Sequence, residues 1–293
     1  MNLYDCFMYF DEDIILDLRL HILNQHVKKF VVTESTFTHN GKRRKLKFDI
    51  NNFKKFKDKI NYVVVDKNPI DIEEVYKSDS IEVSNSKILG NALKRENFQR
   101  NKISQGLGDA LEDDFIIISD VDEIPNLDNI NLKKKINIFE QSMFYYKFNL
   151  KQPNLKWLGS RACKKKYMIS PQWLRNIKDK SYPFWRLDVL FSRVKYFDVN
   201  IIKKGGWHFS SVKSPEDIAH KLSSFLHHLE YEESGMNIEL LKNKIKDKKV
   251  LYDHSTDKKL NKWQSNISLI KTSDDELPSY ITNNREKFID WLE

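Results

Sequence analysis

Phe115-Ile116-Ile117-Ile118-Ser119-Asp120-Val121-Asp122-Glu123-Ile124-Pro125 decides how this chain is read. A short apolar run is the mark of a buried strand. This one runs directly into three carboxylates within four residues. On extended backbone Asp120 and Asp122 would point the same way. Carboxylates at the C-terminal end of a central strand lie where open α/β sheets bind ligands. Two like charges so close repel unless a cation or a shared proton relieves them. A hard divalent cation accepts such oxygens and keeps positions for substrate phosphates. Asp-x-Asp also occurs as a helix cap or a turn, which is the structural alternative. The strand before it and the stop at Pro125 favour a site.

Outward from that stretch, strands alternate with helices. Residues 3–10 read as a first strand and residues 13–26 as an amphipathic helix, with Ile15, Leu16, Leu18, Ile22 and Leu23 on its apolar side. Phe30-Val31-Val32-Thr33 is a second strand, ending at Glu34, and Tyr62-Val63-Val64-Val65-Asp66 a third. The Lys-rich residues between Gly41 and Lys59 read as a mobile connection with a short helix at its end. Residues 84–105 read as a long helix that Gly106-Leu107-Gly108 ends, with Glu96 and Arg100 spaced as a surface ion pair. This alternation predicts an α/β fold with a mostly parallel central sheet. Beyond residue 140, residues 143–148 and 184–202 read as β-rich. Ser214-Pro215 starts a helix, with Ser at the cap and Pro at the first position. The division expected is a main domain over residues 1–233 and a helical C-terminal extension, 234–293, packed on it.

The 293 residues suffice for a sizeable core, and 40% hydrophobic with 12% aromatic residues excludes a disordered chain. The net charge of +8 rests mostly on Lys, beside abundant Asn and Ile, a bias that an AT-rich genome produces without a nucleic-acid partner. Two cysteines, Cys6 and Cys163, exclude a disulfide framework. Asp5 interrupts the first apolar run and Asp11-Glu12-Asp13 follow it, so it is no signal peptide. No stretch approaches the roughly 20 apolar residues of a membrane span. The expectation is a soluble, cytoplasmic protein whose oligomeric state the sequence does not give.

Phosphate-binding Gly-rich loops, zinc spacings and the nucleophile elbow are all missing from the sequence. His208 stands out, set between Gly205-Gly206-Trp207 and Phe209, where glycines permit close approach to a ligand; a packed histidine is the plainer reading. Glu34 lies on the same sheet edge as Asp120, or is simply a solvated strand end. His227-His228 read as a solvated helix face.

The residues quoted so far resemble glycosyltransferase family 17, whose known animal member is the bisecting N-acetylglucosaminyltransferase of N-glycans. The likeness runs in order through Tyr4-Asp5-Cys6-Phe7-Met8-Tyr9-Phe10, Leu16-x-Leu18-Arg19-Leu20, Val32-x-Glu34-Ser35-Thr36-x-Thr38-His39-x-Gly41-Lys42, Arg95-Glu96-x-x-Gln99-Arg100, Ile118 to Pro125, Gly206-Trp207-His208-Phe209-Ser210 and the Pro215-Glu216 helix start. It is weakest between residues 130 and 200. The resemblance implies a GT-A-like nucleotide-binding sandwich and an inverting transfer from a UDP-sugar, UDP-GlcNAc by family, with UDP-xylose or another UDP-sugar as variants, to a glycan hydroxyl. It implies Mn²⁺ or Mg²⁺ held by Asp120, Asp122 and His208. Asp120 would also serve the ribose or diphosphate, with Glu123 in support. Glu34 would lie near the nucleoside and Arg95 near the diphosphate. A carboxylate must take the acceptor's proton; Asp188 and Glu216 are the candidates. The acceptor region matches poorly, so a bacterial or viral surface polysaccharide or a lipid-linked glycan is expected ahead of an N-glycan.

Two other classes use the same residues. A metal-dependent phosphodiesterase or nuclease would use the carboxylates with the basic surface. A non-catalytic glycan-binding module would stack sugars on Trp157, Trp173, Trp185 and Trp207, which otherwise belong to the core.

Overall fold

The computed structural model describes residues 1–180, 182, 183, 185–225, 228–254 and 262–293. Its spine is a mixed sheet. Strands β1 (Leu3–Met8), β2 (Lys29–Ser35), β3 (Ile60–Val65) and β4 (Phe115–Asp120) lie in the order β3-β2-β1-β4, all parallel. Strands buried on both faces read as continuous apolar runs, which is why β1, β2 and β4 were visible in the sequence. Beyond β4 the sheet continues with β7 (Leu150–Lys164), β6 (Ile136–Tyr145), β9 (Gly206–Ser210) and β5 (Glu123–Pro125). Here β4–β7, β7–β6 and β9–β5 are antiparallel and β6–β9 is parallel. The first half of β6 pairs with β8 (Val199–Ile202), its second half with β9. A two-residue strand, β10 (Ile270–Lys271), pairs with β7.

Successive side chains of the parallel strands fall on opposite faces. Phe7, Phe30, Val32 and Ile117 pack with Ile15, Leu16 and Leu20 of helix α1 (Asp13–Leu23), and with Ile281 and Phe288 from the chain's end. Tyr4, Cys6, Val31, Ile116 and Ile118 pack on the other face, against Ile103, Leu107, Trp173 and Leu174. Both cysteines are free and buried. Helix α2 (Ile81–Asn101) is capped by Ser80, whose hydroxyl accepts from Val83 N, and passes into a 3-10 turn, Lys102–Leu107. Helix α4 (Pro215–Ser224) begins where Ser214 Oγ accepts from the Asp217 amide, as the Ser-Pro pair predicts. No helix among the described residues is long and apolar enough to cross a membrane.

Several expectations change. Among the described residues of 184–202, Leu187–Val189 form a 3-10 turn, only Val199–Ile202 is a strand, and the rest are turns and irregular chain. The long β7 went unread because Pro153, Asn154 (φ 61°) and Gly159 interrupt its pattern, and its pairing with β6 carries two register shifts. The Lys-rich connection is pinned: Glu34 accepts from the amides of Lys47 (2.7 Å) and Phe48 (3.1 Å). His228 is buried, its Nδ1 2.8 Å from the Phe225 carbonyl, and does not belong to a solvated face. His227 lies outside the described residues.

Gly206 holds β9 against β5. Its φ is +133°, and a Cβ there would come within 2.1 Å of the Ile124 carbonyl oxygen and 2.7 Å of Asn126 N. Both neighbours are backbone, so neither can turn aside. Gly206→Ala is expected to lower the unfolding free energy by about 2–4 kcal/mol, read from urea denaturation. An unchanged midpoint would show that β5 and β9 are not packed this way.

Candidate active site

The C-terminal ends of β1 and β4 meet where the strand order turns, with β2 and β3 on one side of β1 and β4 on the other. That is the crevice in which open α/β sheets bind ligands. A cavity of about 440 Å³ opens there, within the usual range for ligand sites. Its walls come from the segment after β1 (Phe10, Glu12), residues 37–39, α2 (Glu96, Gln99, Arg100), Asp120 and Asp122, His208, Lys221 of α4, and the later segment with Tyr252 and Trp263.

Asp120 closes β4, Val121-Asp122 form a turn, and Glu123 opens β5. The two aspartates share the cavity because of that turn, not because extended backbone aims them together. Arg19 of α1 sets it. Fully buried, it forks onto Asp5 (2.7 and 2.6 Å) and donates through Nη1 to the carbonyls of Asp120, Val121 and Glu123 (3.1, 3.1 and 2.6 Å). Glu123 is fully buried beneath the turn and does not line the cavity. Its carboxylate accepts from Asp120 N (3.0 Å), Trp157 Nε1 (2.7 Å) and Arg175 Nη1 (2.7 Å). Gly159 leaves the space for this, since a Cβ there would lie 2.8 Å from Trp157 Cδ1 and 2.9 Å from Glu123 Cδ.

Each aspartate has its own cations. Asp120 accepts from Arg100 Nη2 and Arg175 Nη2, both at 3.0 Å. Burial would raise its pKa, but Arg175 and Arg100 outweigh burial and hold it ionised below the usual range. Arg100 also keeps its ion pair with Glu96 at 2.8 Å; this pair lines the cavity instead of the surface, with the Arg100 side chain 5% exposed. Asp122 faces His208 Nε2 at 3.5 Å and Lys221 Nζ at 3.6 Å. Burial works against its charge, and Lys221 and His208 together press its pKa well below normal. In return His208 is raised: burial lowers it, and Asp122 more than reverses that. Lys221 also pairs with Glu12 at 2.9 Å, and Glu12 is tied further by the amides of Phe10 (3.0 Å) and Asp11 (3.1 Å).

The other expected residues are elsewhere. Glu34 is fully buried and engaged by Arg44 (3.0 Å), Tyr62 Oη (2.7 Å) and the two amides that anchor the Lys-rich connection. It is neither solvated nor on the cavity wall, although its neighbour Arg44 is. Arg95 does not line the cavity; it donates to Asn68 Oδ1 (2.9 Å) and the His39 carbonyl (3.2 Å), bracing the loop that does. Asp188 is exposed and held by Arg186 (2.6 Å) and Lys195 (2.8 Å). Glu216 is exposed and paired with Lys242 at 3.0 Å. The structure brings neither to the cavity. Glu12, Lys221, Arg175, Tyr252 and Trp263 were missed. Glu12 lay in an acidic run that served only to exclude a leader peptide, and the others carry no local motif.

Among the described residues no three His, Cys, Asp or Glu side chains converge into a complete metal cage. Asp120 gives one acceptor site to each of two guanidiniums, whose charge competes with a cation there. Asp122 and His208 are different. They are a hard oxygen and an imidazole nitrogen 3.5 Å apart on the cavity wall, and His208 Nδ1 is buried without a partner among the described residues. Such a pair suits a small divalent cation that takes its remaining ligands from substrate oxygens and water.

Among solved structures the chain is similar to the 2-C-methyl-D-erythritol 4-phosphate cytidylyltransferase of Francisella tularensis, with 11% identity and a TM-score of 0.28, over 75% of this chain and 98% of that one. That score is too low to establish a common fold. No curated protein matches the sequence. The glycosyltransferase family 17 model matches residues 1–292, so the chain belongs to that family and is a glycosyltransferase.

Proposed function

We propose that this cavity takes a UDP-sugar, UDP-GlcNAc by family, and that the sugar passes with inversion to a hydroxyl of a glycan acceptor, in a GT-A-like manner. The observation that carries this reading is Asp122, set at the β1/β4 crevice between His208 at 3.5 Å and Lys221 at 3.6 Å. Asp122 and His208 would hold Mn²⁺ or Mg²⁺, which when bound neutralises charge on the leaving diphosphate as a Lewis acid. Lys221 and Arg100 add fixed positive charge on the same wall and are already oriented by Glu12 and Glu96. Such preorganised charge favours the separating diphosphate without reorganisation. Asp120 has spare acceptor capacity beside its two guanidiniums, because a carboxylate offers about four lone-pair sites. It would take a ribose hydroxyl. Its orientation is locked through Arg175 and Glu123. At the other end of this wall Phe10, His39 and Gln99 form a cradle for the base, with His39 Nε2 3.3 Å from Gln99 Oε1. Burial lowers the His39 pKa, which favours its neutral form there. Arg44, Arg100 and Lys221 on the cavity wall serve an anionic donor, and no nucleic-acid partner enters this reading.

Thermal unfolding with UDP, GDP and CMP, each with and without Mn²⁺, tests it. A nucleotide at a hundredfold excess over its Kd adds about 2.7 kcal/mol to the native state. UDP with Mn²⁺ is expected to give the largest rise in Tm. No rise with any nucleotide would overturn the reading.

A further inference from the structure

We propose that Trp157, Tyr252 and Trp263 form the acceptor subsite of this cavity, a stacking wall for a pyranose ring with the Trp263 indole N–H directed to one of its hydroxyls. The inference rests on the reading of the cavity as a sugar-transfer site.

Three observations carry it. The first is a run of rings that starts at the carboxylate centre. His208, which faces Asp122, lies 4.9 Å from the Trp157 ring; Trp157 lies 5.0 Å from His254, His254 4.9 Å from Tyr252, and Tyr252 5.1 Å from Trp263. All of them line the cavity, and the run belongs to β7, β9 and the later chain, apart from the β1 and α2 wall proposed for the nucleotide. A saccharide bound along it would meet the donor beside Asp122 and His208.

The second is an unsatisfied donor. Trp263 is 5% exposed, and its Nε1 has no hydrogen-bond partner among the described residues. An indole N–H can only donate, and leaving it buried and unpaired is unfavourable. The chain supplies partners to its other indoles in comparable places: Trp157 to Glu123 (2.7 Å), Trp173 to the Arg193 carbonyl (2.5 Å) and Trp207 to the Glu276 carbonyl (2.7 Å). Trp263 departs from that pattern at the cavity wall. Among the described residues His208 Nδ1 is a second buried polar atom without a partner at the same cavity. Ligand hydroxyls would satisfy both.

The third is rigidity. Trp157 is fixed by the fully buried Glu123 and by the space Gly159 leaves. Trp263 packs with Tyr231 at 5.8 Å as well as Tyr252. A preset ring surface binds without further ordering. A pyranose offers an apolar C–H face and a polar rim, the complement of ring faces beside an indole N–H. A nucleobase also stacks on rings, so the test must separate the two.

The test uses the full chain and its Trp263→Phe and Tyr252→Leu variants. Methyl β-glycosides of GlcNAc, glucose, galactose and mannose are the probes, read by saturation-transfer NMR and tryptophan fluorescence; UDP binding is measured in parallel by calorimetry. Trp263→Phe keeps the ring and removes the N–H, and Tyr252→Leu removes a half-buried ring, so at least one variant is expected to keep the wild-type fold. The expected result is saccharide affinity falling about tenfold in both, with UDP affinity within about twofold of wild type. Saccharide binding unchanged in a folded variant overturns the inference, as does a wild-type protein that binds UDP and none of the glycosides. A loss of UDP affinity that matches the loss of saccharide affinity also overturns it, because the wall then serves the base. If wild type binds no UDP but the variants lose saccharide, the subsite stands and the donor reading falls.

Discussion

Asp122→Asn is expected to reduce sugar transfer by at least about 10³-fold while leaving the fold in place. The substitution keeps the shape and removes one negative charge. In the wild-type protein that charge faces His208 and Lys221, and it is the oxygen donor of the pair suited to a divalent cation. An amide is a weaker ligand for a hard cation than a carboxylate. It also no longer raises His208, so the imidazole beside it becomes easier to deprotonate. The fold should tolerate the change. Lys221 retains Glu12 at 2.9 Å, so no lysine is left buried and unpaired, and the backbone link from Phe209 N to the Asp122 carbonyl at 2.9 Å does not involve the side chain. Steady-state turnover alongside Tm separates the two effects. Turnover within about tenfold of wild type would remove Asp122 from the centre of the mechanism. Asp188→Ala and Glu216→Ala are the natural controls: both side chains are exposed, surface-paired and away from the cavity, and both variants should keep wild-type turnover.

The contrast between Asp122 and Lys221 shows what sequence can and cannot reveal about this site. Asp120, Asp122 and His208 announce themselves locally, as carboxylates ending an apolar run and a histidine after two glycines. Glu123 and His208 are even cross-strand partners. Lys221 sits on a helix with other charged residues, and its approach to Asp122 is a tertiary fact about two segments about a hundred residues apart. Arg175 and Trp263 are of the same kind. The fold divides similarly. The parallel half was legible because its strands are buried on both faces and its helix α1 has a clear apolar side. The antiparallel half was legible only around residues 143–148, because β7 carries a proline, a left-handed asparagine and a glycine that break its pattern. Glu34 and Arg95 illustrate the opposite error. Glu34 was expected near the nucleoside and Arg95 near the diphosphate; neither lines the cavity, and each braces a loop beside it.

Arg19→Leu is expected to be the most destabilising single change near the site, by about 3–5 kcal/mol, because it leaves Asp5 charged and unpaired in the core. Both side chains are fully buried, and Asp5 lies on β1 beside Ile117 of β4, out of reach of bulk solvent. Arg19→Lys should not rescue it. One ammonium cannot hold both Asp5 oxygens while donating to three carbonyls, and it would lose the guanidinium's stacking on Phe7 at 4.6 Å. The double replacement Asp5→Leu with Arg19→Leu tells the two roles apart. Replacing a buried ion pair with apolar residues of similar volume is often neutral for stability, so urea denaturation should recover most of the loss. Activity should not recover, because the carbonyls of Asp120, Val121 and Glu123 still lack the donor that shapes the turn carrying Asp122. Recovery of both would mean that Arg19 serves the core alone and that the turn holds its shape unaided; recovery of stability without turnover would place Arg19 among the residues that position the reaction centre.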